Sequence, residues 1–376
     1  MKILVIKFLL ASCSITFARA DNDDGYRLKH VSVIFRHGDR APDPVEMFPN
    51  DPNYQNTFYP YGLGGLTNEG KRREYRLGEM LRERYDELLG ELYQADAIYA
   101  RSTDYRRAKM CLQLVLAALY PPKGPQIWRD ELAWQPIPAE YAPSIKDWLM
   151  IPEECPEYLK EHKDVKSLPE VKEKIDKLSE FMSNLTEWTG REISYVNDMY
   201  NLYHILVAEQ AMGLELPRWA KEVFPKGQLY DGIQLWYEIF SKTTHMRRTN
   251  GGKLLHNVLS HMSDLERGQR APKLGLYSGH ETNVAAILQT LGLWYPHVPE
   301  YSSAVVLELH EKDSQYYVKV LYYLGIPEKW VEQVVPGCEA AMCPADKFRE
   351  LLAEVTPSKD EMACDKSVAK GHGYIF

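Results

Sequence analysis

Residues 34–44 read IFRHGDRAPDP and place three potential cations within five positions, directly after an apolar run. These are Arg36, His37 and Arg40. Charges so close together repel one another, and burying them costs desolvation energy that a partner of opposite charge must offset. Guanidinium groups present planar pairs of donors that match the oxygens of a phosphate. The stretch therefore indicates a site for a small anion, with a histidine at its centre.

Two distant segments repeat the pattern of a short apolar strand followed by a polar turn that carries Arg or His. They read DAIYA-RSTDYRR, with Arg101 in the turn, and KLGLYS-GHETN, with His280 in the turn. Ligands of open α/β sheets bind beyond the carboxyl ends of the strands. If the three strands are parallel neighbours, five groups converge on one spot: Arg36, His37, Arg40, Arg101 and His280.

Such a cluster could carry out phosphoryl transfer. Flanking guanidinium groups lower the pKa of a histidine, so His37 could stay neutral and nucleophilic in mildly acid solution. The same cations would stabilise charge on the transferring phosphoryl group, and a covalent intermediate would divide the hydrolysis into two easier steps. Simpler roles compete at single positions. Arg101 could pair with Asp104, His280 alone could be structural, and Asp39 is expected to orient an arginine.

Strands and helices alternate at both ends of the chain. Apolar, β-branched runs at 28–35, 96–100 and 273–278 predict strands, and helical spacing of apolar residues follows each of them. This alternation predicts an α/β fold with a central mixed, mainly parallel sheet flanked by helices. Helical spacing without a convincing strand predicts an all-helical cap between the two ends. The predicted domains are a signal peptide at 1–20, an α/β core at 21–140 plus 271–376, and the cap at 141–270.

The first 20 residues have the pattern of a secretory signal peptide. Lys2 and Lys7 accompany a short apolar stretch that closes with the small residues ARA. We therefore expect a secreted protein without a membrane span, and the sequon at Asn184 fits a glycoprotein. A net charge of −8, from 45 basic and 53 acidic residues, argues against nucleic acids and anionic membranes as partners.

The cysteines also fit export. After loss of the signal peptide, five of the six cysteines remain. The stretch CEAAMC could close a small loop between Cys338 and Cys343, and a Cys155–Cys364 bond would tie distant segments together. Cys111 lies on an apolar helical face, so we expect it to be a buried free thiol.

The three polar turns together resemble those of a known family. RHGDRAP is similar to the RHGxRxP signature of the histidine acid phosphatases, and IYARSTDYRR and LYSGHETN resemble that family's second and third blocks. The blocks occur in order over nearly the whole mature chain, with the helical insertion and the late cysteines in place. The form SGHETN is most like the insect venom and secreted branch.

The resemblance implies the histidine phosphatase fold and an acid phosphatase that hydrolyses phosphate monoesters without a metal or other cofactor. It implies that His37 is the nucleophile and forms a phosphohistidine. It also implies that Glu281 donates a proton to the leaving alcohol, although most of the family has Asp there; the extra methylene moves the carboxyl by roughly 1.5 Å. The family's dimers lead us to expect a homodimer. The implied phosphate ligands are Arg36, Arg40, Arg101 and His280.

Three other functions compete with this interpretation. A metallophosphatase would need further Asp, Asn and His ligands, and the remaining histidines, His204 among them, show no ligand spacing and are expected to be structural. A phosphomutase of the wider RHG superfamily fits poorly with the signal peptide and the helical insertion. A non-catalytic secreted phosphate-binding or allergen-like protein would have no need of an intact His37.

Overall fold

The computed structural model describes residues 25–364, so the predicted signal peptide lies outside the described residues. In this part the strands are β1 (Arg27–Arg36), β2 (Ile98–Ser102), β3 (Glu140–Tyr141), β4 (Leu274–Gly279), β5 (Ala304–Lys312), β6 (Gln315–Tyr323), β7 (Trp330–Gln333) and β8 (Met342–Pro344). The helices are α1 (Asn68–Leu89), α2 (Arg106–Leu119), α3 (Pro156–Lys166), α4 (Pro169–Asp176), α5 (Ser179–Thr189), α6 (Val196–Ala211), α7 (Ala220–Val223), α8 (Gln228–Phe240), α9 (Thr244–Thr249), α10 (Gly251–Glu266), α11 (Glu281–Thr290) and α12 (Ala345–Leu351).

All eight strands belong to one mixed sheet. Its order is β3-β2-β4-β1-β5-β6-β7, and β8 pairs with β6. Parallel pairing joins β3, β2, β4 and β1, and the remaining pairs are antiparallel. The predicted α/β fold with a mixed sheet flanked by helices is confirmed. The described sheet is not mainly parallel, however, because three of its seven strand pairs are parallel and these are confined to one half. The strands β2, β4 and β1 are neighbours, so their carboxyl ends lie at the same edge.

Helices cover both faces of the sheet because successive side chains of its central strand point in opposite directions. On β1, Val33 packs in one core with Leu77 of α1 and Leu112 of α2. The next residue, Ile34, packs in the opposite core with Val258 of α10 and Ile287 of α11. A strand buried on both faces reads as a continuous apolar run, which is how this segment appears in the sequence.

In the described chain, the segment between β3 and β4 contains helices α3 to α10 and no strand. Helices α5, α6 and α8 contribute Phe181, Leu206 and Trp236 to a third core, which Ala285 and Ala286 of α11 also join. Helix α10 differs, because its apolar face packs on the sheet. The predicted cap boundaries, 141–270, stay a prediction. The last helix within them, α10, is one of the helices that cover the sheet.

Both predicted disulfides are present in the structure. Cys155, directly before α3, is bonded to Cys364, and Cys338 is bonded to Cys343. Cys111 is a buried free thiol on α2. The longer bond fastens the end of the described chain to the helical insertion. Within residues 25–364, no helix combines the length and apolar character needed to cross a membrane.

Candidate active site

The three polar turns meet at the edge of the sheet where β1, β2 and β4 end. The backbone N–H of His37 donates to the carbonyl oxygen of Gly279 over 3.0 Å, and that of Thr103 donates to Ser278 over 3.0 Å. These bonds continue the parallel pairing of β1 and β2 with β4. The turns are therefore side by side, as the sequence predicts.

The turn after His37 is held against the first turn of α1. A Cβ atom at Gly38 would lie 2.5 Å from the carbonyl oxygen of Gly70, and a Cβ at Gly70 would lie 2.3 Å from the carbonyl oxygen of Asp39. Only glycine permits so close an approach of two backbones. Thr67 caps α1 by accepting a hydrogen bond from the Gly70 N–H over 3.1 Å. The histidine therefore follows a buried strand and precedes a turn fixed to a helix.

A cavity of about 150 Å³ opens at this edge, between the sheet and the helical insertion. Its lining combines basic, acidic and aromatic side chains from the loop after β1, from the starts of α2 and α11, from the segment before α3, and from α6 of the insertion. The charged, histidine and aromatic residues of the lining are His37, Arg40, Asp43, Glu46, Tyr105, Arg107, Glu153, Tyr200, His280 and Glu281.

His37 is held as a neutral imidazole with a free lone pair. Its Nδ1 lies 2.8 Å from the carbonyl oxygen of Gly38, and a carbonyl oxygen can only accept, so Nδ1 carries the proton and Nε2 keeps its lone pair. Burial lowers the pKa of His37 well below its ordinary value, and Arg107 and Arg36 lower it further. The imidazole therefore remains unprotonated in acid solution.

Arg36, the last residue of β1, is not among the lining residues, but it contacts Glu281 of the lining and has unused donors. It is 1% exposed, its guanidinium lies over the Tyr301 ring at 4.2 Å, and Nη1 donates to the Pro299 carbonyl oxygen over 2.6 Å. Its Nε lies 3.3 Å from Oε2 of Glu281. Among the described residues, neither Nε nor Nη2 has a hydrogen-bond partner. A buried guanidinium with free N–H groups is prepared to bind an anion.

Two further arginines in the lining are paired with carboxylates. Arg40 donates two hydrogen bonds to Glu46, and Nη1 of Arg107 lies 2.9 Å from Oδ2 of Asp43. Burial alone would raise the pKa of Asp43, but Arg107 and Arg40 outweigh it and lower that pKa. These pairs offset the cost of burying the cations that the sequence places so close together.

The structure does not place Arg101 in this lining. Its guanidinium donates to the buried carboxylate of Asp147 over 2.6 Å, while Asp104 pairs with Lys109. Arg107, from the same block, occupies the cavity instead. Sequence reasoning missed Arg107, although it lies in the first turn of the helix that follows β2, and such turns face the ligand edge of a sheet.

His280, the N-cap residue of α11, and Glu281, its first residue, also line the cavity. Nε2 of His280 lies 3.0 Å from Oγ1 of Thr103, and burial, followed by Arg107, lowers the pKa of His280 to about 3. Burial alone would raise the pKa of Glu281, but Arg36 outweighs it and holds that pKa well below the usual range. The hydroxyl of Tyr200 donates to Oε1 of Glu281. The Glu281 carboxyl is therefore ionised in this structure.

Other polar groups near the site have structural roles. Asp39 accepts a hydrogen bond from Nε of Arg73 over 2.7 Å. Within residues 25–364, no group of three or more His, Cys, Asp or Glu side chains could hold a metal ion. A larger groove of about 790 Å³ lies between the insertion and the end of α11, and its lining includes Lys174, Tyr230 and Trp294. Its lining includes none of the predicted site residues.

Comparison with known proteins identifies the family. The model of the histidine phosphatase superfamily, branch 2, matches residues 27–323. The chain is 46% identical to the venom acid phosphatase of Apis mellifera over 342 residues, which cover 90% of this chain and 88% of that protein. It is 31% identical to the prostatic acid phosphatase of Homo sapiens over 345 residues, again covering 90% and 88%.

Solved structures agree on the fold. A Hafnia alvei phytase in complex with tartrate superimposes with a TM-score of 0.66 at 19% identity, covering 89% of this chain and 98% of the phytase. At this level of identity, the similarity shows only that the two proteins share a fold. The family model and the relatives carry the activity, and the chain therefore belongs to branch 2 of the histidine phosphatase superfamily and is an acid phosphatase.

Proposed function

We propose that the protein is a secreted acid phosphatase that hydrolyses small phosphate monoesters through a phosphohistidine on His37. The main support for the proposal is the tautomer of the His37 side chain. Its Nδ1 is bonded to the Gly38 carbonyl oxygen, so Nε2 has a free lone pair, and it lines a cavity that also contains two arginines.

In the first step, Nε2 of His37 attacks the phosphorus atom as the bond from phosphorus to the ester oxygen breaks. The carboxylic acid of Glu281 gives its proton to that oxygen, so an alcohol leaves and a phosphohistidine remains. Arg36, Arg40, Arg107 and His280 surround the transferring group and stabilise its charge.

In the second step, a water molecule attacks the phosphorus atom and the bond to Nε2 breaks. The Glu281 carboxylate now accepts a proton from the water, so inorganic phosphate forms and His37 returns to its neutral state. The same carboxyl group acts as acid and then as base, which balances the protons over the cycle.

The charges in the site explain why acid favours the reaction. The Glu281 carboxyl is ionised beside Arg36, so a proton must arrive with the substrate. Phosphate esters have a second pKa of about 6, and below it they carry one proton that can pass to this carboxylate. The bound phosphate then raises the pKa of Glu281 by adding negative charge. His37 stays neutral over the same pH range because its own pKa is lowered.

The geometry favours Arg107, rather than Arg101, as the arginine of the second block that binds phosphate. Arg107 lines the cavity with His37, and Arg101 is bonded to Asp147. To bind phosphate, Arg107 would share its donors between the anion and Asp43. A guanidinium has five N–H groups, so one carboxylate partner leaves others free.

Secretion, glycosylation and dimer formation are further parts of the proposal. Asn184 is exposed on α5, where an oligosaccharide can be attached. Strand β3 ends the sheet, and exposed apolar side chains lie near it in sequence, including Trp128, Trp134 and Tyr141. Such a surface supports a homodimer.

Turnover of p-nitrophenyl phosphate by the purified mature protein tests the proposed function. We expect hydrolysis at acid pH that resists EDTA, because the proposed steps use no metal. Loss of activity with EDTA would favour a metallophosphatase. Absence of turnover, with phosphate still bound, would favour the non-catalytic phosphate-binding protein. Phosphate transfer within a sugar phosphate, without release of inorganic phosphate, would favour the phosphomutase.

A further inference from the structure

Helix α6 of the helical insertion brings two buried side chains to the carboxylate of Glu281. The Tyr200 hydroxyl donates a hydrogen bond to Oε1, and Nε2 of His204 lies 3.9 Å from the same oxygen. On the opposite side, Nε of Arg36 lies 3.3 Å from Oε2. One carboxylate oxygen thus faces the sheet and the other faces the insertion.

The Tyr200 ring has little freedom. It stacks on Trp236 of α8, with ring centroids 4.1 Å apart and an interplanar angle of 27°. The His204 ring packs against its edge, with centroids 4.5 Å apart and an angle of 66°. Offset stacks and edge contacts of this kind fix an aromatic ring. The hydroxyl is therefore held at one place, and the carboxylate that accepts from it is held with it.

We propose that Tyr200 is a positioning residue for the reaction, through which the helical insertion holds the Glu281 carboxyl at the leaving oxygen. The inference rests on the proposed role of Glu281 as proton donor. It also gives a reason for glutamate at this position. An aspartate carboxyl would lie roughly one bond length, about 1.5 Å, further back along the side chain, out of hydrogen-bond reach of the fixed hydroxyl.

Titratable groups from several elements face Glu281 and decide its protonation. Arg36 on β1 and His280 beside it lower the pKa of Glu281, and so do His204 and the hydrogen bond from Tyr200. Tyr237 on α8 and Glu153 before α3 also interact with it electrostatically. Among the described residues, neither ring nitrogen of His204 has a hydrogen-bond partner, and burial lowers the pKa of His204 to about 3. The direct hydrogen bond to Glu281 from the insertion is therefore the one from Tyr200.

The variant Tyr200→Phe tests the inference, with Tyr203→Phe as a matched control. Tyr203 lies on the same helix and is also buried, but its hydroxyl lies 3.4 Å from the Pro225 carbonyl oxygen. The assay compares kcat/KM for glycerol 2-phosphate, whose alkoxide needs a proton, with that for p-nitrophenyl phosphate, whose phenolate leaves unaided. We expect Tyr200→Phe to reduce the ratio of the alkyl to the aryl value by about tenfold or more.

The pH profile provides a second readout. Without the hydroxyl, the ionised form of Glu281 loses a hydrogen bond, so its pKa rises. The basic limb of kcat, which reports ionisations in the enzyme–substrate complex, should therefore move to higher pH by roughly one unit, and Tyr203→Phe should leave it in place. Glu281→Asp should lose the same alkyl-to-aryl ratio although it keeps a carboxyl. If Tyr200→Phe does not fold, Glu281→Asp provides the test instead.

Double variants separate this inference from the proposed function. In a Glu281→Gln background, Tyr200→Phe should not change the alkyl-to-aryl ratio further. Equal losses on both substrates, or the same losses in Tyr203→Phe, would overturn the positioning role of Tyr200 while Glu281→Gln still showed a leaving-group effect. If Glu281→Gln itself showed none, the proposed proton donor would be wrong and the inference would fall with it.

Discussion

Replacing Arg107 by Ala tests which arginine of the second block binds phosphate. Arg107 lines the cavity beside His37, and its removal deletes a charge-assisted hydrogen bond worth about 1.5–3 kcal/mol. Each 1.4 kcal/mol is a factor of ten, so the affinity for phosphate or vanadate should fall by roughly 10- to 150-fold. We expect the upper part of this range, because Asp43, 2.9 Å from Arg107, would be left facing the anion.

The same substitution has a consequence for pH. After burial, Arg107 is the largest influence that lowers the pKa of His37 and of His280. Its removal raises both pKa values. His37 must be neutral to attack, so as the pH falls it becomes protonated, and inactive, at a higher pH than in the wild type. The acid limb of kcat/KM should therefore move upwards. The double variant Arg107→Ala with Asp43→Asn should recover part of the lost affinity, because it also removes the uncompensated carboxylate.

Competitive inhibition of p-nitrophenyl phosphate hydrolysis by vanadate measures these affinities. Arg101→Ala is the control, because Arg101 lies in the same block but is bonded to Asp147. We expect its inhibition constant to stay within about threefold of the wild type, since substitutions away from a site usually change free energies by about 0.5 kcal/mol. Its melting temperature should fall, because buried Asp147 loses its partner. An unchanged constant in Arg107→Ala, with a loss in Arg101→Ala, would refute the assignment.

Three further predictions concern the proton donor, the disulfides and the sequon. Glu281→Gln should slow phosphorylation of the enzyme by glycerol 2-phosphate far more than by p-nitrophenyl phosphate in rapid-quench experiments, and equal losses would place the donor elsewhere. Replacing Cys155 and Cys364 by Ser should lower the melting temperature more than removing the shorter bridge, because their sequence separation is 209 rather than 5. Endoglycosidase treatment should increase the gel mobility of the secreted protein but not that of Asn184→Gln.

The sequence predicts the sheet and the position of the turn that carries His37 well, because both depend on local patterns. A doubly buried strand is a continuous apolar run, so the predicted 28–35 closely matches Arg27–Arg36. The choice between Arg101 and Arg107 is different. It depends on the direction of two side chains, one at the end of β2 and one in the first turn of α2, and no spacing rule gives that direction.

The partners of Glu281 were beyond prediction for a second reason. Tyr200 and Glu281 are 81 residues apart, and the contact depends on how the insertion packs over the sheet. His204 showed no ligand spacing in the sequence, and the structure places it 3.9 Å from Glu281 without making it a metal ligand. Helix α10 was assigned to the insertion by its helical spacing, which identifies an apolar face but not the surface that the face covers.

Trapping the covalent intermediate tests the central claim most directly. Enzyme mixed with a phosphate-labelled aryl ester and quenched in alkali within milliseconds should carry label on the peptide that contains His37, with close to one equivalent per active site. His37→Ala should carry no label and lose turnover by several orders of magnitude while still unfolding cooperatively at a similar temperature. Label on a different residue, or near-wild-type turnover by His37→Ala, would contradict the account.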